Sequence, residues 1–156
     1  MKKKKLYPQT KIKKIGVEYL NQCTKLDENT LNGIWTKEQW YKELTSSKRI
    51  SIGAILDSEL IGLTSAWLTT DEINITFVGV LPFHQKQGVG TLMILSLLGF
   101  SRKIGISIAT LEVKEKNIAG KLFYESLDFH QIGLRKKLYK DGSNAVIYRH
   151  MNNFHH

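Results

Sequence analysis

Cysteine is nearly missing from this chain. A single residue, Cys23, among 156 rules out an internal disulfide, and such usage points to a reducing compartment, the cytoplasm. With no activating partner beside it in sequence, Cys23 is expected to be a buried, inert thiol. Long apolar runs are missing too. The longest stretch of that kind, Leu92–Phe100, is far too short to span a bilayer, and no apolar signal segment follows Met1-Lys2-Lys3-Lys4-Lys5; no membrane association is expected. Acidic residues are scarce, 14 against 23 Lys and Arg, for a net charge of +9. Internal repeats and low-complexity linkers are absent, so residues 1–156 read as one domain, with 1–10 as a basic, flexible tail. The terminal His155-His156 carries no inference. Ligand spacing for a metal is also absent: His84, His130 and His150 are scattered, which suits loop or surface roles.

What is present is a globular composition, 42% hydrophobic and 10% aromatic, long enough for a sizeable core. The basic surface, supplied by Lys2–Lys5, Lys11, Lys13, Lys14, Arg135, Lys136 and Lys137, attracts polyanions or the phosphates of a cofactor. RNA-reading signatures are lacking: there is no aromatic RNP motif and no G-x-x-G followed by basic helix residues. A non-catalytic RNA- or ribosome-binding module is therefore the remote alternative, and no specific nucleic acid is expected.

The order of elements can be read from periodicity. Val17–Leu26 spaces its apolar residues as one helix face, and Leu31-Asn32-Gly33-Ile34 breaks it. Thr36 caps a helix over Lys37–Leu44, with Gln39 placed for a capping box and Trp35 and Trp40 for a hydrophobic staple. Arg49–Leu56, Leu60–Leu68 and Ile73–Val80 read as three successive antiparallel strands, the first two joined at Asp57-Ser58-Glu59. A helix then opens at Gly88-Val89-Gly90 and carries Leu92, Leu95 and Leu98 at helical spacing, with Met93 and Ile94 beside them. After a stop at Gly105, Ile106–Val113 returns as a strand parallel to its predecessor. Asn117–Leu127 is a short helix with Ala119, Leu122, Phe123 and Leu127 on its apolar face. Gly133–Tyr139 and Ala145–Arg149 close the chain as a hairpin across Lys140-Asp141-Gly142-Ser143. The fold class is α/β: a mixed, mostly antiparallel sheet with helices on both faces and one central, splayed parallel pair. Ligands favour the crevice beside such a pair, here between Val78–Val80 and Leu111–Val113.

Two stretches border that crevice. In Gln85-Lys86-Gln87-Gly88-Val89-Gly90, two glycines permit a tight turn into a helix whose free N–H groups and dipole face an anion, with Lys86 adding a charge. The spacing fits neither a P-loop nor G-x-G-x-x-G, but a phosphate site is the expectation. Downstream, strand alternation sets Glu112 opposite Leu111 and Val113, and the next helix places Tyr124 two turns past Asn117. A carboxylate, an amide and a phenol then share the crevice.

The order Val80-x-Pro82-x-x-Gln85-x-x-Gly88-x-Gly90 resembles motif A of the GNAT acetyltransferases. Leu111-Glu112-Val113-Lys114-x-x-Asn117-x-Ala119-x-x-x-Phe123-Tyr124-Glu125-x-x-x-Phe129 resembles their motif B. More narrowly, the stretch from Trp35 to Arg149, with Trp35-Thr36-Lys37-Glu38 near its start, is similar to RimI-type N-terminal acetyltransferases, which modify the N-terminal alanine of a bacterial small-subunit ribosomal protein. The resemblance implies acetyl-CoA as acetyl donor, no metal, and a protein or peptide N-terminus as acceptor, in a monomer or dimer. It implies that Lys86, Gln87, Gly88, Val89, Gly90 and Thr91 hold the pyrophosphate. Val78, Gly79 and Val80 would pair with the pantetheine arm like an added strand, with a nearby backbone N–H stabilising the oxyanion; Asn117 would touch the arm or cap its helix. Glu112 is the candidate base, directly or through one water, and Tyr124 the candidate acid for the departing thiolate. Trp35 and Tyr139 are candidate walls of the acceptor groove. Acetylation of a lysine or small-molecule amine is the alternative within the same fold.

The chain departs from the family pattern in three places. Asp128 stands where a glycine precedes the motif B phenylalanine, at a site that needs a left-handed backbone. Leu138-Tyr139 replaces a tyrosine pair, and Asn144 replaces an aspartate. The net charge also sits badly with a basic ribosomal N-terminus. Either the groove is locally acidic, with Glu28, Glu38, Glu43 and Glu125 as candidates, or the substrate differs.

Overall fold

The structure is a computed structural model that describes residues 9–137 and 139–151. Lys2–Lys5, Leu138 and His155-His156 lie outside the described residues. Seven strands form one sheet: β1 (Lys11–Lys14), β2 (Arg49–Leu56), β3 (Glu59–Leu68), β4 (Glu72–Val80), β5 (Ile108–Lys114), β6 (His130–Arg135) and β7 (Ala145–Met151). Their order across the sheet is β1-β2-β3-β4-β5-β7-β6, and β4–β5 is its parallel pair. The helices are α1 (Leu20–Thr30), α2 (Lys37–Thr45), α3 (Val89–Lys103) and α4 (Ile118–Ser126). Two cores result. Buried residues of α3 and of one sheet face, including Ile52, Ile73, Ile75, Met93, Leu97 and Leu111, form the larger. Cys23, Leu26, Trp40, Leu63 and Phe77 form the smaller, under α1 and α2. The mixed α/β sheet with helices on both faces is as the pattern of elements implies.

Sequence fixes several joints directly. Asp57 and Ser58, both at positive φ (48° and 66°), make the two-residue turn between β2 and β3, the geometry that suits the twist of a hairpin. Thr36 Oγ1 accepts from Gln39 N at 3.1 Å while Gln39 Oε1 accepts from Thr36 N at 2.7 Å, closing the capping box of α2. Trp35 and Trp40 meet edge to face at 4.6 Å.

Other joints differ from the sequence reading. Residues 17–19 form a 3-10 turn, and α1 starts only at Leu20 and runs on to Thr30. β1 is an edge strand in a Lys-rich stretch where none is expected; it pairs with β2 through Ile12↔Ala54, and charged edge residues of this kind block unwanted pairing. On α3, Leu92 and Leu95 are 38% and 49% exposed, whereas Val89, Met93, Ile94, Leu97, Leu98 and Ser101 are buried. Steps of three residues fall about 60° short of a full turn, so the row 92-95-98 starts off the sheet and reaches it only at Leu98, while the 89-93-97 row stays on it. Ala119 and Leu122 of α4 are exposed in the same way, leaving Phe123 and Leu127 to pack on the core. β6 starts at His130 and ends at Arg135, opposite Ala145. The turn beyond it is built from Asp141 Oδ1, which accepts from Ser143 N and Oγ.

One buried acid organises the join between α1 and α2. Asp27, with no exposed surface, accepts from Ile34 N, Trp35 N and Trp40 Nε1, each at 3.0 Å. Its carbonyl also takes the N–H groups of Leu31 and Gly33. Replacing Asp27 by Asn leaves the shape but turns one acceptor into a donor against buried N–H groups. Urea unfolding followed by tryptophan fluorescence should show a loss of about 2–4 kcal/mol.

α4 ends in a left-handed cap. Phe129 N donates to Tyr124 O and Asp128 N to Glu125 O, the Schellman pattern. The residue at the left-handed position, Asp128, has φ 65°, in line with the expectation from the sequence. Asp128→Gly should therefore raise stability by about 1 kcal/mol in the same assay.

Candidate active site

The crevice is made by a register event in β4. Pairing with β3 shifts between Ser65 and Ala66, so Thr76 is an extra residue on β4. Up to that point Ile73 and Ile75 face the α3 core; beyond it Phe77 faces the α1–α2 core, with Val78 and Val80 back on the α3 side. A bulge bends a strand and increases its twist. The parallel pairing with β5 stops at Ile75↔Leu111, directly before the bulge. From there β4 and β5 diverge, and a cavity of about 230 Å³ opens between them, lined by residues that include Thr76, Val78, Glu112, Asn117, Tyr124 and Tyr139.

Most of the residues singled out from sequence converge here. Glu112 lies on the face opposite Leu111 and Val113, as alternation requires. Its carboxylate is not free: Arg135 Nη1 lies 2.8 Å from Oε1 and Lys137 Nζ 3.0 Å from Oε2. The sequence reading had placed both cations on a general basic surface; the hairpin of β6 and β7 folds them over β5 instead. Tyr124 lines the same cavity, and burial pushes its phenol up to about 12, so it holds its proton far above neutral pH. Asn117 caps α4 as expected, its Oδ1 accepting from Gly120 N at 2.9 Å, and the residue borders the cavity. Tyr139 lies on the far wall with Lys114 Nζ 4.9 Å from its ring centre.

The anion cradle sits at the start of α3. Lys86 and Gly88 take left-handed φ values of 62° and 89°. Gly90 is required for a different reason: a Cβ there would lie 3.2 Å from the Phe123 ring. The amides at 88–91 precede the first helical hydrogen bond, Leu92 N to Gly88 O, and have no carbonyl within the helix to receive them. No acid stands in that first turn. Two of the expected residues contribute backbone alone, because the side chains of Gln87 and Val89 are buried beneath the loop. Gly79 is likewise a packing position, its absent Cβ leaving room for Thr30 Oγ1 and Leu26 of α1. The Val80 carbonyl accepts from Gln85 Nε2 at 3.0 Å, which ties the cradle to the end of β4. Unpaired amides on a helix start, followed by an unpaired strand edge, fit a long carrier bearing a diphosphate.

A larger groove, of about 670 Å³, continues from Thr76 beneath α2, with Trp35 on its wall. Trp40 instead lies in the core, its indole N–H on Asp27. Of the four acids that could make the groove acidic, only Glu43 lines it; Glu28 and Glu38 are exposed elsewhere, and Glu125 accepts from Tyr148 Oη at 2.8 Å. Asp27, which the sequence pattern does not single out, and the pairing of Glu43 with Arg49 shape this side of the site. The signal for Asp27 was present: an acid in the apolar row Cys23, Leu26, Thr30. Cys23 is buried, which pushes its thiol up to about 12 and makes it inert as expected. His84 and His150 are not surface residues: His84 is buried against Phe83 and His150 half-buried against Phe129. Among the described residues no group of three His, Cys, Asp or Glu could hold a metal ion, and no helix is long and apolar enough to cross a membrane.

A splayed parallel pair, a Gly-rich helix start beside it, and a carboxylate and a phenol within the splay define an acyl-transferring α/β domain. The model of the acetyltransferase (GNAT) family matches residues 17–129. This chain belongs to that family and is an N-acetyltransferase. Among relatives, it is 27% identical over 135 residues to the N-alpha-acetyltransferase RimI of Mycobacterium tuberculosis, spanning 82% of this chain and 84% of that one. Among solved structures, the ribosomal-protein-S18-alanine N-acetyltransferase of Escherichia coli superposes with a TM-score of 0.86 at 20% identity, covering 95% of this chain and 97% of that one. Arabidopsis thaliana NAA60 in complex with acetyl-CoA superposes with a TM-score of 0.82 at 14% identity, covering 92% and 98%. The family draws its acetyl group from acetyl-CoA.

Glu43 gives the site a measurable pH signature. Burial, partly offset by Arg49, pushes its carboxyl up from 4.5 to about 7. Below pH 4.5 folded and unfolded chains both carry the proton. As pH rises toward about 7 the unfolded chain releases it first, so stability falls over that window. Glu43→Gln removes the titration. The Tm of the unaltered protein relative to the variant should drop by about 5 °C across the window at constant ionic strength.

Proposed function

We propose that this chain transfers acetyl from acetyl-CoA to the α-amine at a protein N-terminus, with the N-terminal alanine of a small-subunit ribosomal protein as the leading acceptor. The observation that carries the proposal is the joint presence of Glu112 and Tyr124 on the walls of one cavity between diverging strands. The N-terminal acetyltransferases to which this chain is similar support the acceptor class. An α-amine has a pKa of about 7.7–8.0, against about 10.4 for lysine. The α-amine therefore gives up its proton near neutral pH far more readily than a lysine does, and Glu112 is placed to take it.

The roles follow from placement. The amides and side-chain charge of residues 86–91 bind the diphosphate, and the free edge of Val78, Gly79 and Val80 orients the pantetheine amides beside Asn117. A backbone N–H of the same edge stabilises the oxyanion as the thioester carbonyl is attacked. Glu112 takes the proton of the ammonium, directly or through one water. As the C–S bond breaks Tyr124 gives its proton to the departing thiolate sulfur, and the second proton that the nitrogen sheds on amide formation passes to solvent, from which Tyr124 is reprotonated. Trp35 and Tyr139 bound the acceptor on its two sides.

The test is turnover of an Ala-starting peptide with isotopically labelled acetyl-CoA, read by intact mass. Glu112→Gln and Tyr124→Phe should each lower kcat by about 10²–10⁴-fold while the Kd for acetyl-CoA changes little. Undiminished turnover in both variants would overturn the assigned roles. Acetylation of lysine side chains or small amines in place of the α-amine would overturn the acceptor.

A further inference from the structure

The groove beneath α2 contains an unfinished polar arrangement that the catalytic reading does not use. Glu43 is 5% exposed, and its Oε2 has no hydrogen-bond partner among the described residues. Its Oε1 lies 3.3 Å from Arg49 Nε, an ion pair too poorly aligned to count as a hydrogen bond. A buried carboxylate with an idle oxygen costs stability unless something donates to it. Arg49 is already committed: its guanidinium stacks 3.9 Å over the Trp67 ring, so it is not set out as a fork for an anion. Lys42 stands exposed at the rim. Two deep atoms here lack hydrogen-bond partners among the described residues, Arg49 Nε and Glu43 Oε2; the donor already faces Glu43 Oε1 at 3.3 Å, which leaves the acceptor Oε2 as the atom with nothing set against it.

The surroundings fit a long side chain. Trp35 and Trp67 give the groove aromatic walls, and Trp67 is 44% exposed, unusual for so large an apolar residue. Asn74 lies beside Trp67 in the strand register, and Thr76 lines both this groove and the catalytic cavity. A chain whose terminal amine reaches Glu112 past Thr76 therefore lays its next residues along this groove, at about 3.3 Å per residue.

We propose that the groove is a specificity subsite for one of the two residues following the acetylated one, and that it takes a lysine or arginine side chain whose N–H donates to Glu43 Oε2. The two tryptophans cover the aliphatic stem. Such a buried anion would also let a chain of net charge +9 accept a basic peptide without general attraction. The proposal rests on the N-terminal acceptor reading above.

The experiment compares kcat/KM for peptides beginning Ala-Lys-Lys, Ala-Ala-Ala and Ala-Glu-Glu in the unaltered enzyme, Glu43→Gln and Trp67→Ala. The unaltered enzyme should prefer Ala-Lys-Lys to Ala-Glu-Glu by about tenfold or more, carried in KM. Glu43→Gln should reduce that preference to within about threefold. Trp67→Ala, which removes an exposed ring and so keeps the fold, should weaken KM for Ala-Lys-Lys more than for Ala-Ala-Ala. Unchanged preference in both variants would overturn the subsite while leaving the N-terminal acceptor reading intact. Failure of every peptide to be acetylated would overturn that reading, and the subsite with it.

Discussion

Backbone pairing between β4 and β5 ends at Ile75 and Leu111, and the rest of the site depends on that ending. Parallel strands normally satisfy each other's N–H and C=O groups along their length, and unpaired edges inside a domain are costly. Here the inserted residue Thr76 turns β4 away before the ladder is complete. The exposed edge that results is a binding surface of the kind a strand-like ligand completes. α3 starts a few residues later, so its unpaired amides lie at the end of the same edge. One backbone irregularity thereby sets an unpaired strand edge ahead of a helix start that has no side-chain cap.

The bulge also carries the acceptor side. By reversing the alternation of β4 it sends Phe77 into the smaller core, where its ring lies 5.5 Å from Trp35 and 5.0 Å from Trp40. Asp27 holds the same two tryptophans by their N–H groups. The position of Trp35 on the groove wall is therefore set twice, by packing on the bulged strand and by hydrogen bonds to a buried acid. α1, whose Leu26 and Thr30 press on Gly79, completes that coupling.

Electrostatics divides the site by function. The first turn of α3, shortly after Lys86, holds no acid. Glu112 in the cavity is a carboxylate held by two cations, and the groove beyond it holds a buried acid, Glu43, with a spare oxygen. In a chain of net positive charge, Glu112 and Glu43 place acid groups along the cavity and the groove, where burial strengthens each interaction.

Local patterning in the sequence determined which segments are strands and helices, the capping box at Thr36, the left-handed stop at Asp128, the Gly-rich helix start, and the pairing of Glu112 with Tyr124 across consecutive elements. Those features depend on residues close in sequence, so period, cap and turn chemistry suffice to read them. Only the tertiary structure decided which row of α3 faces the sheet, that Lys11–Lys14 joins its edge, that Arg135 and Lys137 fold onto Glu112, that Asp27 holds both tryptophans, and that Glu43 ends up buried beside Arg49. Each of these is a contact between elements far apart in the chain. Its geometry follows from strand register and the bulge at Thr76, which no local propensity encodes.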